Sequence, residues 1–237
     1  AVVAGAGLSK AYLFAAGMSL LAAVVTISLP DLPGAAMDMA PTESLSMFGV
    51  LRSNIGILLT QGVGALVIML TRSARQAIIP LWCDAHGIDP AATSLIYSIS
   101  MAFDVALFFF GGSLMDKFGR LWVAFPAMVV MGIGMALLPL THQVSTIIAV
   151  ACLLGLGNGI SSGVVMTLGS DASPAVGRTK FLAGWRLLAD SGNALGPLAI
   201  AAVTTFATLG VASVVLGALA WGGAAWLLRF IPRRVAS

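Results

Sequence analysis

The turn between two long apolar stretches reads Gly112-Ser113-Leu114-Met115-Asp116-Lys117-Phe118-Gly119-Arg120. Gly112 is expected to let two helices approach closely, and Gly119 to permit a tight turn. Asp116 is expected either to cap the start of the following helix or to pair with a basic group. The flanking stretches, Ala92–Leu114 and Leu121–Leu140, each have the length and apolar character of a membrane-spanning helix.

Seven stretches of the sequence are long and apolar enough to cross a bilayer. A crossing helix needs about 20 mostly apolar residues, whereas a membrane strand needs only about 10 and alternates in polarity. Each span is expected to be continuously helical except where protein or water lines it, so the sequence predicts an all-α polytopic membrane protein. The predicted spans are Ala11–Ser28, Ile55–Cys83, Ala92–Leu114, Leu121–Leu140, Val144–Leu168, Phe181–Thr205 and Leu209–Phe230.

The composition excludes a soluble domain. Hydrophobic residues make up 59% of the 237 residues and charged residues 9%, whereas soluble domains have about 25% charged residues. The basic residues fall in short loops, which is typical of membrane proteins, so no nucleic-acid partner is expected. Cys83 and Cys152 form no metal or disulfide pattern, and His86 and His142 are lone loop residues, so no metal or cofactor is predicted.

Basic residues between the spans lie mostly on one side of the predicted membrane. The side richer in Lys and Arg is normally cytoplasmic, which places the C-terminus and the linker 30–53 inside and residue 1 outside. Because the chain has no initiator Met and no signal peptide, it is expected to be a fragment of a longer protein. Lys10 flanks a span on the outer side, against Arg52, Lys117, Arg120, Arg178, Lys180, Arg229, Arg233 and Arg234 on the inner side.

Four of the spans carry polar stripes. A charge at the bilayer centre costs at least about 2.5–3.5 kcal/mol on insertion scales, so charges inside spans indicate function. Spacings of three, four or seven residues place each set on one helix face, and spans two, three, five and six are predicted to line a cavity, with spans four and seven outside it or facing lipid. The cavity candidates are Gln61, Arg72, Arg75, Tyr97, Ser100, Asn158, Ser161, Ser162, Arg186 and Asn193, and the proton-coupling candidates are Asp104 and Asp190.

Each of these charges also has a structural interpretation. Arg186 and Asp190 are spaced to pair within one helix, and Arg72 and Arg75 lie near enough to a span end to reach the headgroups. Asp104 lies near the middle of its span and has no basic neighbour on its own helix. Burial favours its protonated form, as a proton carrier requires, and the alternative is an ion pair with an arginine on another span.

The turn quoted above resembles the G-x-L-x-D-[RK]-x-G-R signature of the major facilitator superfamily of transporters. In that family the loop is cytoplasmic and helps to hold one conformational state, which implies this role for Gly112, Leu114, Asp116, Lys117, Gly119 and Arg120. The resemblance covers essentially the whole chain. It implies the last helix of the N-terminal half at 1–29, the central cytoplasmic linker at 30–53 and the C-terminal six-helix domain at 54–237, with the missing N-terminal half as a partner.

Two further patterns fit the same family. Gly192-Asn193-Ala194-Leu195-Gly196-Pro197 looks like the G-x-x-x-G-P element common in its efflux members, although a glycine and proline in a helix also serve packing or a kink. Spans two to four and five to seven have similar lengths, as expected of the repeats from which such transporters are built. A second glycine series, expected to serve helix packing, is Gly155, Gly157, Gly159 and Gly163.

The resemblance implies a secondary transporter and not an enzyme. The first hypothesis is proton-coupled efflux of a small organic solute from a bacterium, across the plasma membrane, by alternating access. The second is uptake or facilitated transport of a sugar, organic acid or other nutrient by the same fold. A seven-helix receptor is a remote third, because the cytoplasmic signature turn has no role there. The expected partners are the solute, protons and the lipid bilayer.

Overall fold

The computed structural model of the chain describes residues 2–28 and 46–231. The chain divides into two units, Ala1–Ser44 and Leu45–Ser237. The first unit contains helix α1, Val2–Ser28, which includes the first predicted span. Most of the predicted linker, 30–45, lies outside the described residues, as do Arg233 and Arg234.

The second unit is a bundle of helices, and its described residues contain no strand. Six of the helices are long and apolar enough to cross a membrane, which confirms the predicted all-α polytopic class. A short helix, α2, precedes them and takes up the end of the predicted linker. The helices are α2 Met47–Ser53, α3 Ile55–Ala85, α4 Pro90–Phe118, α5 Arg120–Leu140, α6 Val144–Ala172, α7 Arg178–Thr204 and α8 Leu209–Phe230.

Some helices extend further than the predicted spans, because they continue through polar residues at which the prediction ended them. Residues 112–118 of the quoted turn belong to α4, and the chain reverses only at Gly119, whose φ of 91° is a conformation that favours glycine. Likewise the segment between the predicted spans Val144–Leu168 and Phe181–Thr205 is non-helical only at 173–177. The prediction was wrong here because charged residues are compatible with a helix that emerges from lipid, and only Gly or Pro forces the stop.

Three spans depart from regular α-helix, and in α5 the departure is a 3₁₀ turn at its end, Leu138–Leu140. α3 contains a π-helical turn at Leu58–Gly62. α6 is interrupted at 161–163, between the segments Val144–Ile160 and Val164–Ala172. The Ser161 hydroxyl donates to the carbonyl of Gly157 at 3.0 Å, and such back-bonding next to a glycine competes with the helical ladder. A competing side-chain hydrogen bond therefore accompanies the interruption.

The bundle is built from three tightly packed helix pairs, α3 with α7, α4 with α6, and α5 with α8. Each interface uses glycine to bring backbones together. A Cβ at Gly196 would press on the backbone of Leu70, and one at Gly217 would lie 2.8 Å from the carbonyl of Gly132. In α6, Cβ atoms at Gly155, Gly157, Gly159 and Gly163 would meet atoms of α4 or α5, which confirms a packing role for that series.

The pairing of helices follows a twofold pattern. Suppose that α3 exchanges places with α6, α4 with α7, and α5 with α8. The α3–α7 pair then becomes the α6–α4 pair, and the α5–α8 pair stays the same. The secondary contacts of α5 with α6 and of α8 with α3 also exchange. The packing therefore supports two repeats of three helices within the second unit.

The two ends of the bundle differ in charge. At one end Arg120 contacts Asp171, and Val50 packs against Gly177. At the other end the indole of Trp82 donates to Thr141, and the turns 86–89, 141–143 and 205–208 contain no Lys or Arg. The described basic residues of the first end are Arg52, Lys117, Arg120, Arg178, Lys180 and Arg229.

Candidate functional site

An ion pair joins α3 and α4 inside the bundle. Arg75 Nη2 lies 3.1 Å from Asp104 Oδ2, and the two side chains are 0% and 14% exposed. Asp104 thus has the arginine partner on another span that the sequence left open as an alternative. Arg75 is fully buried, so the interpretation that it reaches the headgroups is wrong for this residue.

Neutral side chains complete this pair and extend it to α6. Arg75 Nη1 donates to Ser100 Oγ at 3.0 Å, and Ser100 in turn donates to the carbonyl of Ala151 at 2.6 Å. Asn158 Nδ2 donates to the same carboxylate oxygen of Asp104 that Arg75 contacts. Three helices are therefore linked through one carboxylate. We call Arg72, Arg75, Ser100, Asp104, Asn158 and Ser162 the central cluster.

The central cluster lies at the middle of its helices. Asp104 is 14 residues from either end of α4 (Pro90–Phe118), and Asn158 is 14 residues from either end of α6 (Val144–Ala172). At a rise of about 1.5 Å per residue, each is about 20 Å from the helix ends. These polar groups therefore occupy the level where a bilayer is most apolar and where their removal from water is most costly.

Arg72 occupies the edge of the cluster beside the interruption of α6. Its Nη2 lies 3.2 Å from Ser162 Oγ and its Nη1 lies 3.4 Å from the Ser162 carbonyl. The side chain is half-buried and within electrostatic range of Asp104 and Arg75. Tyr97, also half-buried, lies one turn before Ser100 and interacts electrostatically with Arg75.

Two polar atoms of the cluster have no partner among the residues that the structure describes. Arg75 Nε and Asn158 Oδ1 are buried and form no hydrogen bond with any described residue. Buried polar atoms are nearly always satisfied in folded proteins, so such exceptions call for an explanation by water, ligand or function. Both residues contact Asp104, so this free hydrogen-bond donor and this free acceptor lie at the charged centre of the site.

Of the remaining cavity candidates, Ser161 donates to the backbone carbonyl of Asn158 at 3.1 Å, whereas Arg186, Asn193 and Gln61 form no hydrogen bond or ion pair with the central cluster in the described part of the chain. Arg186 Nε pairs with Asp190 Oδ2 at 3.5 Å within α7, with side chains 68% and 49% exposed, as the structural interpretation predicted. The Asn193 side chain is exposed, and its backbone carbonyl accepts a hydrogen bond from Ser73. Gln61 lies in the π-helical turn of α3, and Ser161 is buried and bonds within α6.

The signature turn forms a small ionic cluster at the basic end. Arg120 Nε lies 2.8 Å from Asp171 at the end of α6, and Arg120 Nη1 lies 3.8 Å from Asp116. Asp116 therefore pairs and does not cap, since α5 has no side-chain cap at its start. Lys117 lies over the ring of Phe118, and Leu114 is exposed.

Among the described residues, Gly112 does not make the close helix contact expected of it. A Cβ at Gly112 would meet no atom within 4 Å among the described residues, whereas one at Gly111 would collide with the backbone of Ile160. The close approach of α4 to α6 thus uses the preceding glycine, because one residue turns a helix by about 100° and the two glycines face different directions.

Asp171 is a site residue that the sequence did not reveal. It is the closest acidic partner of Arg120 and ties the α4–α5 turn to the end of α6. Neither its type nor its spacing distinguishes it from other acids in loops. Its role follows only from the packing of α6 against α4.

One comparison with known proteins decides the family. A family model described as Major Facilitator Superfamily matches residues 61–237, which is more than half of the chain. The chain belongs to the major facilitator superfamily. Members of this superfamily are membrane transporters, so the six apolar helices belong to a multi-pass transport protein. No curated protein matches the chain significantly.

Proposed function

We propose that this major facilitator protein is a proton-coupled secondary transporter that exports a small organic solute by alternating access. The observation that carries the proposal is Asp104, a carboxylate at mid-helix that links α3, α4 and α6 and is still 14% exposed. A group with these properties both holds a conformation and receives a proton. Asp190, half-exposed on α7, is the second candidate carrier.

The coupling step follows from the chemistry of the ion pair. Ionised Asp104 accepts hydrogen bonds from Arg75 and Asn158 and offsets the charge of a fully buried guanidinium. Protonation removes that charge, so the attraction that holds α3 to α4 is lost while Arg75 stays charged. Proton binding therefore weakens one arrangement of the three helices, and proton release restores it. Such a two-state link is what coupling to a conformational cycle requires.

The setting of the transporter is part of the proposal. The basic end of the bundle is placed in the cytoplasm, with the C-terminus, in a bacterial plasma membrane. A six-helix N-terminal half, with α1 as its last helix, is proposed to complete the cavity. The direction of transport, efflux, rests on the likeness of Gly192–Pro197 to the element common in efflux members.

The proposal is tested with Asp104→Asn in the intact protein, reconstituted in vesicles. Asparagine keeps the size and hydrogen-bonding capacity of the side chain but binds no proton. The probes are the solutes that the wild type transports from a labelled panel of organic anions, neutral compounds and cations. Transport driven by a pH gradient is expected to be lost, whereas exchange of labelled for unlabelled solute without a gradient is expected to persist.

The matched control is Asp84→Asn, an exposed acid in the last turn of α3 that is expected to leave both assays unchanged. If Asp104→Asn retains full gradient-driven transport, Asp104 is not the coupling group, and Asp190→Asn becomes the variant to measure. If both variants retain it, proton coupling through the six helices is excluded.

A further inference from the structure

The charges inside the six helices do not balance. Away from the helix ends, α3 carries Arg72 and Arg75, α4 carries Asp104, and α7 carries Arg186 and Asp190. Arg186 pairs with Asp190, and Arg75 pairs with Asp104. In the described part of the chain, no carboxylate lies within ion-pair distance of Arg72. Within the described residues, one guanidinium at membrane depth is therefore left without a counter-charge of its own.

Asp104 does not serve both arginines. Its Oδ2 atom already accepts from Arg75 and from Asn158, and its field reaches Arg72 only at longer range. One carboxylate also carries one charge, and the cluster holds two guanidinium groups. The closest partners of Arg72 are the hydroxyl and carbonyl of Ser162, at 3.2 and 3.4 Å, and both are neutral.

The guanidinium of Arg72 lies against an irregular segment of backbone. It contacts the interruption of α6 at 161–163, where the helix ladder is broken near mid-span. Irregular backbone at membrane depth is tolerated only where it is buried in protein or lines a water-filled cavity. Arg72 is half-buried, so part of the residue is open to solvent, whereas Arg75 is fully buried.

We propose that the interruption of α6 beside Arg72 binds an oxyanion, the carboxylate, sulfonate or phosphate group of the transported solute. This inference rests on the proposed transport function and adds the class of solute. A guanidinium offers a planar set of donors that matches an oxyanion in a two-point contact, and Ser162 adds a hydroxyl donor at the same place. The solute thereby supplies the missing counter-charge.

The first test needs no knowledge of the solute. Ser162→Asp places a carboxylate next to Arg72 in the same chain, and Ser162→Asn is its neutral match in size. In the purified intact protein without ligand, the aspartate variant is expected to have a Tm higher than that of the asparagine variant by about 2–4 °C. Equal Tm values, or a lower value for the aspartate variant, would show that Arg72 has no unmet charge and would overturn the proposal.

The second test measures binding. The probes are benzenesulfonate, benzoate and phenyl phosphate, with benzyl alcohol and benzylammonium as neutral and cationic matches, added to the purified protein while Tm is followed. At least one anion is expected to raise the Tm of the wild type and of Arg229→Gln, a control that removes a positive charge at the end of α8. The rise is expected to be absent in Arg72→Gln and Ser162→Asp.

The remaining outcomes overturn the proposal. These are no response to any of the three anions, an equal response to the alcohol or the amine, or a response that survives Arg72→Gln. Because these measurements use no proton gradient, their failure is separable from failure of the coupling proposal. If the protein binds anions through Arg72 but transports without protons, the oxyanion site is supported and the proton-coupling proposal is contradicted. If it transports with protons but does not bind anions through Arg72, only the oxyanion site is contradicted.

Discussion

At the scale of single residues, the Arg75–Asp104 pair should dominate the electrostatic contribution to stability. Removing one partner of a buried pair leaves an uncompensated charge and costs about 3–5 kcal/mol, whereas replacing both partners by apolar residues is often neutral. We therefore expect Arg75→Leu and Asp104→Leu to lower the free energy of unfolding strongly as single variants. The double variant should recover most of the loss. The measurement is the unfolding, in detergent, of the four purified proteins of this double-mutant cycle: the wild type, the two single variants and the double variant.

The control for this cycle is the pair formed by Arg120 and Asp171 at the basic end. Its side chains are 29% and 52% exposed, so water and salt screen the interaction and its contribution is about 0–1 kcal/mol. Arg120→Gln and Asp171→Asn should change stability little, alone or together. If the two cycles gave equal coupling energies, burial would not be what strengthens the α3–α4 pair.

The same residues show how far the sequence reaches at this scale. Asp104 could be singled out because a lone carboxylate in an apolar span is rare, whatever its surroundings. Its partner could not be chosen, because Arg72, Arg75 and Arg186 satisfy the same rule equally well. The choice depends on which face of α3 meets α4, and that is decided by packing against α6 and α7.

At the scale of helices, glycine decides how closely α4 and α6 approach. A Cβ at Gly159 would collide with the backbone of Asp104, which cannot move aside as a flexible side chain does. Gly159→Ala should therefore separate the helices and destabilise the protein by about 1–3 kcal/mol, the usual cost of overpacking. Thermal unfolding of the purified variant measures the loss.

Gly112→Ala is the matched substitution on α4. A Cβ at Gly112 would meet no atom within 4 Å among the described residues, so the variant loses no packing. It gains helix propensity of about 0.5–1 kcal/mol, since Gly is unfavourable in a helix interior relative to Ala. Equal destabilisation by the two variants would contradict the close packing of α4 against α6 at Gly159.

Helix number and type were predictable from the sequence, but helix irregularities were not. In the second unit, long apolar runs separated by short polar turns indicate the six crossings on length alone. The π-helical turn at Leu58–Gly62 and the interruption at 161–163 leave no such signal. Glycine and serine also occur at regular positions of the same helices, so these residues alone do not break a helix. Whether the helix breaks depends on which neighbours bind the backbone N–H and C=O groups that lose their helical partners.

At the scale of the whole molecule, the two ends of the six-helix bundle predict its orientation. The turns that gather at one end carry Lys and Arg, and the turns that gather at the other carry none. The first repeat, α3 to α5, crosses the membrane three times, which is an odd number. α3 therefore starts at the basic end of the bundle, whereas α6, the first helix of the second repeat, starts at the opposite end. Such inversion between repeats is common in secondary transporters.

Orientation can be measured by labelling single cysteines. In a background with Cys83→Ala and Cys152→Ala, Ala175→Cys lies in the turn after α6 at the basic end, and Gln143→Cys lies in the turn before α6 at the other end. Both native side chains are exposed, so neither substitution disturbs packing. A membrane-impermeant maleimide is expected to label the cysteine at 143 in intact cells and the cysteine at 175 only in inverted vesicles.

Each site serves as the control for the other, since both must react fully once detergent opens the membrane. Labelling at 175 but not at 143 in intact cells would reverse the orientation and place the Arg120–Asp171 cluster outside. Labelling of both sites in intact cells would mean that an even number of crossings separates them. That result would contradict the single span α6 between them, and with it the six-helix arrangement that brings Arg75, Asp104 and Asn158 together.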